Sequence, residues 1–202
     1  GTGNAHAERT ITDYFESVPG LRENRPSSRR QVFTGLELYI DLKRKLLGEP
    51  EDRELVRSFE KFLESQFFDG KAVTLIPKEG ADVVHVKIGE ERQFPIHALG
   101  DGLQNLLIIT YQIFVQKSRC LFFIEEPDLS MHPGMQRALL EVMTTHDHHQ
   151  YFLTTHSNHL LDMSSEFKGI SIYLFSKESA ENGVRFRVKQ ATSPDVNILK
   201  EL

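Results

Sequence analysis

Between residues 36 and 67 apolar side chains recur every three to four positions, and this spacing predicts two amphipathic helices, at about 36–47 and 51–67. In the first, Leu38, Leu42 and Leu46 share a face with Tyr39 alongside; in the second, Leu55, Phe59, Phe62, Leu63 and Phe67 repeat at helical spacing. Gly48-Glu49-Pro50 divides them, a glycine stop followed by a proline start. From residue 71 the period falls to two. Ala72-Val73-Thr74-Leu75-Ile76 and Val83-Val84-His85-Val86-Lys87-Ile88 read as strands joined across Lys78-Glu79-Gly80-Ala81.

Beyond Gly89 helix and strand patterns alternate: a helix near 103–116, an apolar strand at 120–125, a helix near 133–145, a second apolar strand at 150–155 and a short helix near 157–163. Strands near 170–176 and 183–190 close the series. An unbroken apolar run such as Cys120-Leu121-Phe122-Phe123-Ile124 suits a strand buried on both faces, hence a mainly parallel sheet in this region. The expected fold is therefore α/β, a mainly parallel sheet flanked by helices and preceded by a helical segment and a β-hairpin. The expected division is an N-terminal loop and helical segment over 1–70 and an α/β lobe over 71–202.

Composition narrows the picture only a little. The 202 residues are 39% hydrophobic and 26% charged, an ordinary globular balance with no apolar run of membrane-spanning length. The net charge of −5 argues against a globally basic nucleic-acid binder. Arg22, Arg25, Arg29 and Arg30 lie among Pro26, Ser27 and Ser28, which reads as an exposed basic loop, more simply a solvated connector than a DNA contact. The lone Cys120 has no partner for an internal disulfide, so a reducing cytoplasm is expected. Gly1-Thr2-Gly3-Asn4 has no secretory pattern and reads as an expression scar.

The chemistry gathers where strands end. Leu121-Phe122-Phe123-Ile124 runs into Glu125-Glu126-Pro127-Asp128, and Tyr151-Phe152-Leu153 into Thr154-Thr155-His156-Ser157. A right-handed crossover between parallel strands brings both ends to one sheet edge, where open α/β sheets bind ligands. Glu125, Glu126 and His156 are thus expected to converge. Taken singly, the glutamates also suit a solvated turn and the histidine a structural hydrogen bond. A second element is Ala98-Leu99-Gly100-Asp101-Gly102-Leu103-Gln104, which opens an apolar helix. Its two glycines let an anion approach free backbone N–H groups at a helix N-terminus; the simpler reading is a turn with Asp101 as N-cap.

In this order the segments resemble those of ABC-type ATPases of the OLD/SMC-like kind. Leu99 to Gln104 resembles the signature motif, Leu121 to Glu126 a Walker B strand with its catalytic glutamate, Pro127 to Pro133 the D-loop region, and Thr154 to Ser157 the switch-histidine motif. The likeness covers about residues 94–160 and implies the C-terminal lobe of a P-loop NTPase-like fold that hydrolyses ATP with Mg²⁺. By that resemblance Glu125 holds Mg²⁺, Glu126 is the general base, His156 senses the γ-phosphate, and Gly100, Asp101, Gly102, Gln104 and Asp128 serve the nucleotide. The resemblance also implies a head-to-tail homodimer in which the signature loop of one subunit covers ATP held by the other.

Three departures qualify it. No G-x-x-x-x-G-K-[ST] occurs, and Gly70-Lys71 is followed by Ala72, so the P-loop half is expected from a longer chain or a partner and this chain alone is expected to be inactive. Glu125 replaces the commoner aspartate. Gly100 stands where many signatures carry serine, and Asp101 adds negative charge beside the expected phosphate. The rival reading is a non-catalytic, nucleotide-gated module that recruits a protein or nucleic acid. A more distant one is a metal nuclease using Glu125, Glu126, Asp128 and His132. His146-Asp147-His148-His149 has no spaced partner pair for zinc and reads as a solvated turn, while His132 and His159 read as D-loop and helix-start residues. No G-x-S-x-G supports a serine hydrolase, and no Toprim module is recognisable.

Overall fold

A computed structural model describes residues 33, 35–164, 166–180 and 183–190; the arginine-rich loop around Arg22 to Arg30 lies outside them. The described residues form two compact units. The first comprises the residues up to Gly100 together with Leu107–Val115, and the second comprises Asp101–Leu106 with the residues from Gln116 onward.

In the first unit, α1 (Gly35–Leu47) and α2 (Pro50–Phe67) follow the apolar period. Pro50 opens α2, where a missing N–H costs nothing. Leu38, Tyr39 and Leu42 of α1 and Val56, Phe59 and Leu63 of α2 are buried. Strands β1 (Val73–Lys78) and β2 (Val83–Ile88) pair antiparallel with Leu75 opposite Val86, and β3 (Phe94–Pro95) adds to the far side of β2. Their inward residues Val73, Leu75, Val84 and Val86 alternate with exposed or half-buried ones, as the period of two requires.

A short 3₁₀ turn over Ile96–Leu99 leads into α3 (Asp101–Val115). The C-terminal part of α3 closes the core of the first unit. Phe59 meets Tyr111 edge-on at 5.1 Å between ring centroids and Phe114 at 5.4 Å. The Tyr111 hydroxyl donates to Asp41 Oδ2 at 2.6 Å, and Lys45 donates to the same oxygen at 2.7 Å. Burial works against the Asp41 charge, but the hydrogen bonds from Lys45 and Tyr111 outweigh it and hold the carboxyl below its ordinary value. Glu60 is the opposite case. Its Oε1 accepts the Leu75 N–H at 2.7 Å, yet burial pushes its pKa up.

The second unit contains β4 (Leu121–Glu125), α4 (Pro133–Thr145), β5 (Gln150–Thr154), α5 (Asn158–Ser164) and the strands β6 (Tyr173–Ala180) and β7 (Gly183–Gln190). β4 and β5 pair in parallel from Leu121 opposite Gln150 to Glu125 opposite Thr154, joined by the α4 crossover. β6 and β7 form an antiparallel hairpin. α4 buries Leu139, Leu140, Val142, Met143 and one polar residue, Gln136.

The parallel pairing matches the α/β reading, but burial on both faces of these strands does not hold. Phe122, Ile124, Tyr151 and Leu153 are half-buried, whereas Leu121, Phe123 and Phe152 on the other face are 59%, 76% and 53% exposed. The reason is physical: an apolar run sets what a strand tolerates against it, while the cover itself must come from other elements. Among the described residues no helix is long and apolar enough to cross a membrane.

Candidate functional site

The parallel register decides what meets at the C-terminal edge of β4 and β5. Glu125 ends β4 as an exposed residue, and the chain then turns sharply: Glu126 has φ +43°, a left-handed conformation. For a non-glycine residue this costs about 1–2 kcal/mol. Its N–H donates to the Thr154 carbonyl at 2.9 Å, with Thr154 Oγ1 at 3.3 Å, which pins the turn to the end of β5. The Glu126 carboxylate then faces His156, with Oε1 3.7 Å from Nε2. The imidazole is 86% exposed and the carboxylate 43%, so their mutual attraction is weak in water and the arrangement matters for position.

The residues after Glu126 form a tight loop. Pro127 is buried, Leu129 N–H donates to Glu126 O at 3.1 Å, Met131 N–H donates to Asp128 O at 2.9 Å, and Ser130 has φ +63°. Asp128 Oδ1 accepts the Thr155 hydroxyl at 2.6 Å. His132 caps α4 by accepting the Gly134 N–H on Nδ1 at 3.2 Å. Asp128 Oδ1 and His132 Nδ1 are each engaged within the protein, and among the described residues no group of three or more His, Cys, Asp or Glu is placed to hold a metal ion.

Before α3, Gly100 has φ +89° and ψ 149°. This region of backbone space is essentially closed to side chains, which accounts for glycine where the resembling motifs carry serine. Asp101 is the first helical residue of α3 rather than its N-cap, and it is exposed; Gln104 is half-buried. Gly102 is buried against the loop after β4. A Cβ there would lie 2.2 Å from Ser130 O and 3.2 Å from Met131 Cα, so only glycine permits the approach.

The structure thus brings Glu126 and His156 into contact, seats Asp128 beside them through Thr155, and packs Gly102 against the same loop. The histidines after α4 bond to backbone instead: His146 Nδ1 lies 2.9 Å from Val142 O, and His149 Nδ1 accepts the Cys120 N–H at 3.2 Å.

Over residues 2–162 the chain matches a family model described as AAA domain, putative AbiEii toxin, Type IV TA system. The chain belongs to this AAA family. No curated protein matches. Among solved structures, the AAA domain is similar to a chain from work on ATP-driven dimerization and DNA-stimulated activation of SMC ATPases, with TM-score 0.54 and 12% identity over 78% of this chain and 96% of that one. It is also similar to an Smc head bound to the C-winged-helix domain of ScpA, with TM-score 0.52, 13% identity and 78% of this chain against 54% of that one. An Smc head with an extended coiled coil, bound to the C-terminal domain of ScpA from Pyrococcus furiosus, gives TM-score 0.51 and 13% identity over 98% of this chain and 52% of that one. At such identities the likeness establishes the α/β fold of SMC ATPase heads, and the AAA domain spans about half the length of the two ScpA-bound heads.

One residue tied to this rim lies outside every motif of the sequence. Thr155 and Ser157 of the Thr154–Ser157 segment flank His156, and Gln136 is buried, with 5% exposure, behind them. A glutamine inside a helix reads as solvent-facing; only its position among the apolar positions Leu139, Leu140 and Met143 hinted otherwise.

Proposed function

We propose that this AAA domain is the Walker B and signature half of an ABC/OLD-like ATPase, hydrolysing ATP once a P-loop half is supplied by a longer chain or a partner. The observation that carries the reading is the meeting of Glu126 and His156 at one end of a parallel strand pair, 3.7 Å apart. A carboxylate and an imidazole held there fit the two demands of phosphoryl transfer to water, which are orientation of the nucleophile and stabilisation of charge on the phosphate. Glu126 orients and polarises the attacking water; His156 faces the γ-phosphate.

Glu125 suits Mg²⁺, an ion that takes one or two carboxylates and fills its remaining positions with phosphate oxygens and water. When bound, Mg²⁺ neutralises charge on the phosphate oxygens. Gly100, Asp101, Gly102 and Gln104 form the signature loop, turned toward a triphosphate held by another lobe, and Asp128 braces the D-loop. Two copies of the complete protein then pair head to tail around nucleotide. The uncovered Leu121, Phe123 and Phe152 support the need for a further lobe, because parallel strands are stable when both faces are covered.

The test is turnover of the complete, P-loop-containing protein against its Glu126→Gln variant. Loss of a general base lowers kcat by about 10²–10⁴-fold while ATP binding is retained. Equal rates would remove Glu126 from catalysis and favour the nucleotide-gated recruitment module.

A further inference from the structure

Two contacts in the second unit join elements that the proposed reaction uses separately. The first is the approach of Gly102 to the loop after β4. The atoms that a Gly102 side chain would strike are the Ser130 carbonyl oxygen at 2.2 Å and carbon at 2.9 Å, both backbone, so no rotamer change relieves the contact. The first turn of α3 therefore packs directly on the Ser130–Met131 backbone and cannot advance toward it without displacing it.

The second is a directed chain of hydrogen bonds behind His156. The Met131 carbonyl can only accept, so the Gln136 atom 3.0 Å from it is the amide nitrogen. Gln136 Oε1 then faces Ser157 and receives its hydroxyl proton at 3.0 Å, which leaves the Ser157 oxygen to accept the Leu160 N–H at 3.2 Å. On the other side of His156, Thr155 Oγ1 gives its proton to Asp128 at 2.6 Å and accepts the Ser157 N–H at 2.9 Å. Both neighbours of His156 are thus fastened to the 128–131 loop, one through a buried glutamine and one through an aspartate. Gly102 packs on that loop at Ser130–Met131, next to the carbonyl that Gln136 holds.

We infer that Gly102 and Gln136 are positioning residues that link the entrance of α3 to His156 through the Ser130–Met131 backbone. Engagement of the α3 entrance and placement of the His156–Glu126 pair are then one event. A displacement of the first turn shifts Met131, Gln136 follows, and Ser157 carries His156 with it. Misplacement of a reacting group by about 1 Å can cost 10²-fold in rate, so small shifts along this path suffice. The inference rests on the ATPase reading above; it adds Gln136, a buried residue outside the nucleotide-facing loops, and gives Gly102 of the signature loop a second, positioning role.

The experiment uses the complete, P-loop-containing protein and measures kcat and KM for ATP in wild type, Gly102→Ala, Gln136→Met and the double variant, with thermal unfolding of each. The expected result is a fall in kcat of about 10–100-fold for each single variant, with KM within about two-fold for Gln136→Met, which lies outside the nucleotide-facing loop. The double variant should lose no more than the worse single one, because both break the same path. Gln136→Glu supplies a readout that simple destabilisation would not move. Its carboxylate repels the Met131 carbonyl, whereas its protonated acid donates to Met131 and accepts from Ser157, so the ratio of its kcat to that of wild type climbs as pH falls. Multiplicative losses in the double variant, a flat ratio for Gln136→Glu, or changes confined to KM would overturn the coupling while leaving the ATPase reading intact. Absence of turnover in the wild-type complete protein would sink both. Should Gly102→Ala fail to fold, the Gln136 variants decide.

Discussion

Phe123 gives a quantitative check on whether the bare side of the β4–β5 pair is covered in the working protein. Its ring stacks on Phe152 at 5.0 Å with 12° between planes, yet it is 76% exposed. Complete burial of a phenylalanine is worth about 1.5–3 kcal/mol, and roughly a quarter of that, about 0.5 kcal/mol, applies to the part now covered. The stacked pair adds about 0.5–1.5 kcal/mol. Phe123→Ala should therefore cost about 1–2 kcal/mol in the 202-residue chain. In an assembly where a P-loop lobe lies on this face, the same change costs about 3–5 kcal/mol, the usual loss for a buried ring. Urea unfolding of wild type and variant, with and without that lobe, measures both numbers. An equally small cost in the two settings would refute the idea that the face is covered.

Two further predictions concern the first unit. Burial raises Glu60 above its ordinary 4.5, so its contribution is fully present below that value and is lost as pH rises through the folded value. Glu60→Gln keeps an acceptor for Leu75 N–H without the charge, so it should stabilise the fold at neutral pH, with the gain vanishing in acid; a gain that persists in acid would contradict this. Tyr111→Phe removes a hydrogen bond to a charged carboxylate, a loss of about 1.5–3 kcal/mol. Because the Asp41 pKa is lowered, that stabilisation is present above its ordinary 3.8 and disappears as pH falls through the folded value; denaturation curves across that range that leave the penalty unchanged would argue against it.

Much of this was legible in the chain, and for identifiable reasons. Phe59 and Leu63 recur at helical spacing and are buried as that spacing implies, although Val56, adjacent to the expected Leu55, takes the inner position because a helical stripe is wider than one row. The convergence of Glu126 and His156 followed from strand ends alone, since a parallel pair with a crossover leaves little freedom about which edge they share. The Gln136–Ser157 link was not legible, because it depends on the rotation of α4 about its axis and on which polar atoms meet there. From sequence Gly102 suits either the approach of an anion or a simple turn before the helix; that it makes room for Ser130 is a tertiary contact that no local pattern encodes. The same limit explains the bare Phe123: hydrophobicity along a strand says nothing of whether a neighbour has arrived.

The backbone of Glu126 places the proposed base in open conflict with thermostability. At φ +43° asparagine or glycine would rest more easily, so heat selection alone should discard the very carboxylate that selection for turnover retains. In the proposed ATPase that corner is strain carried to place the base.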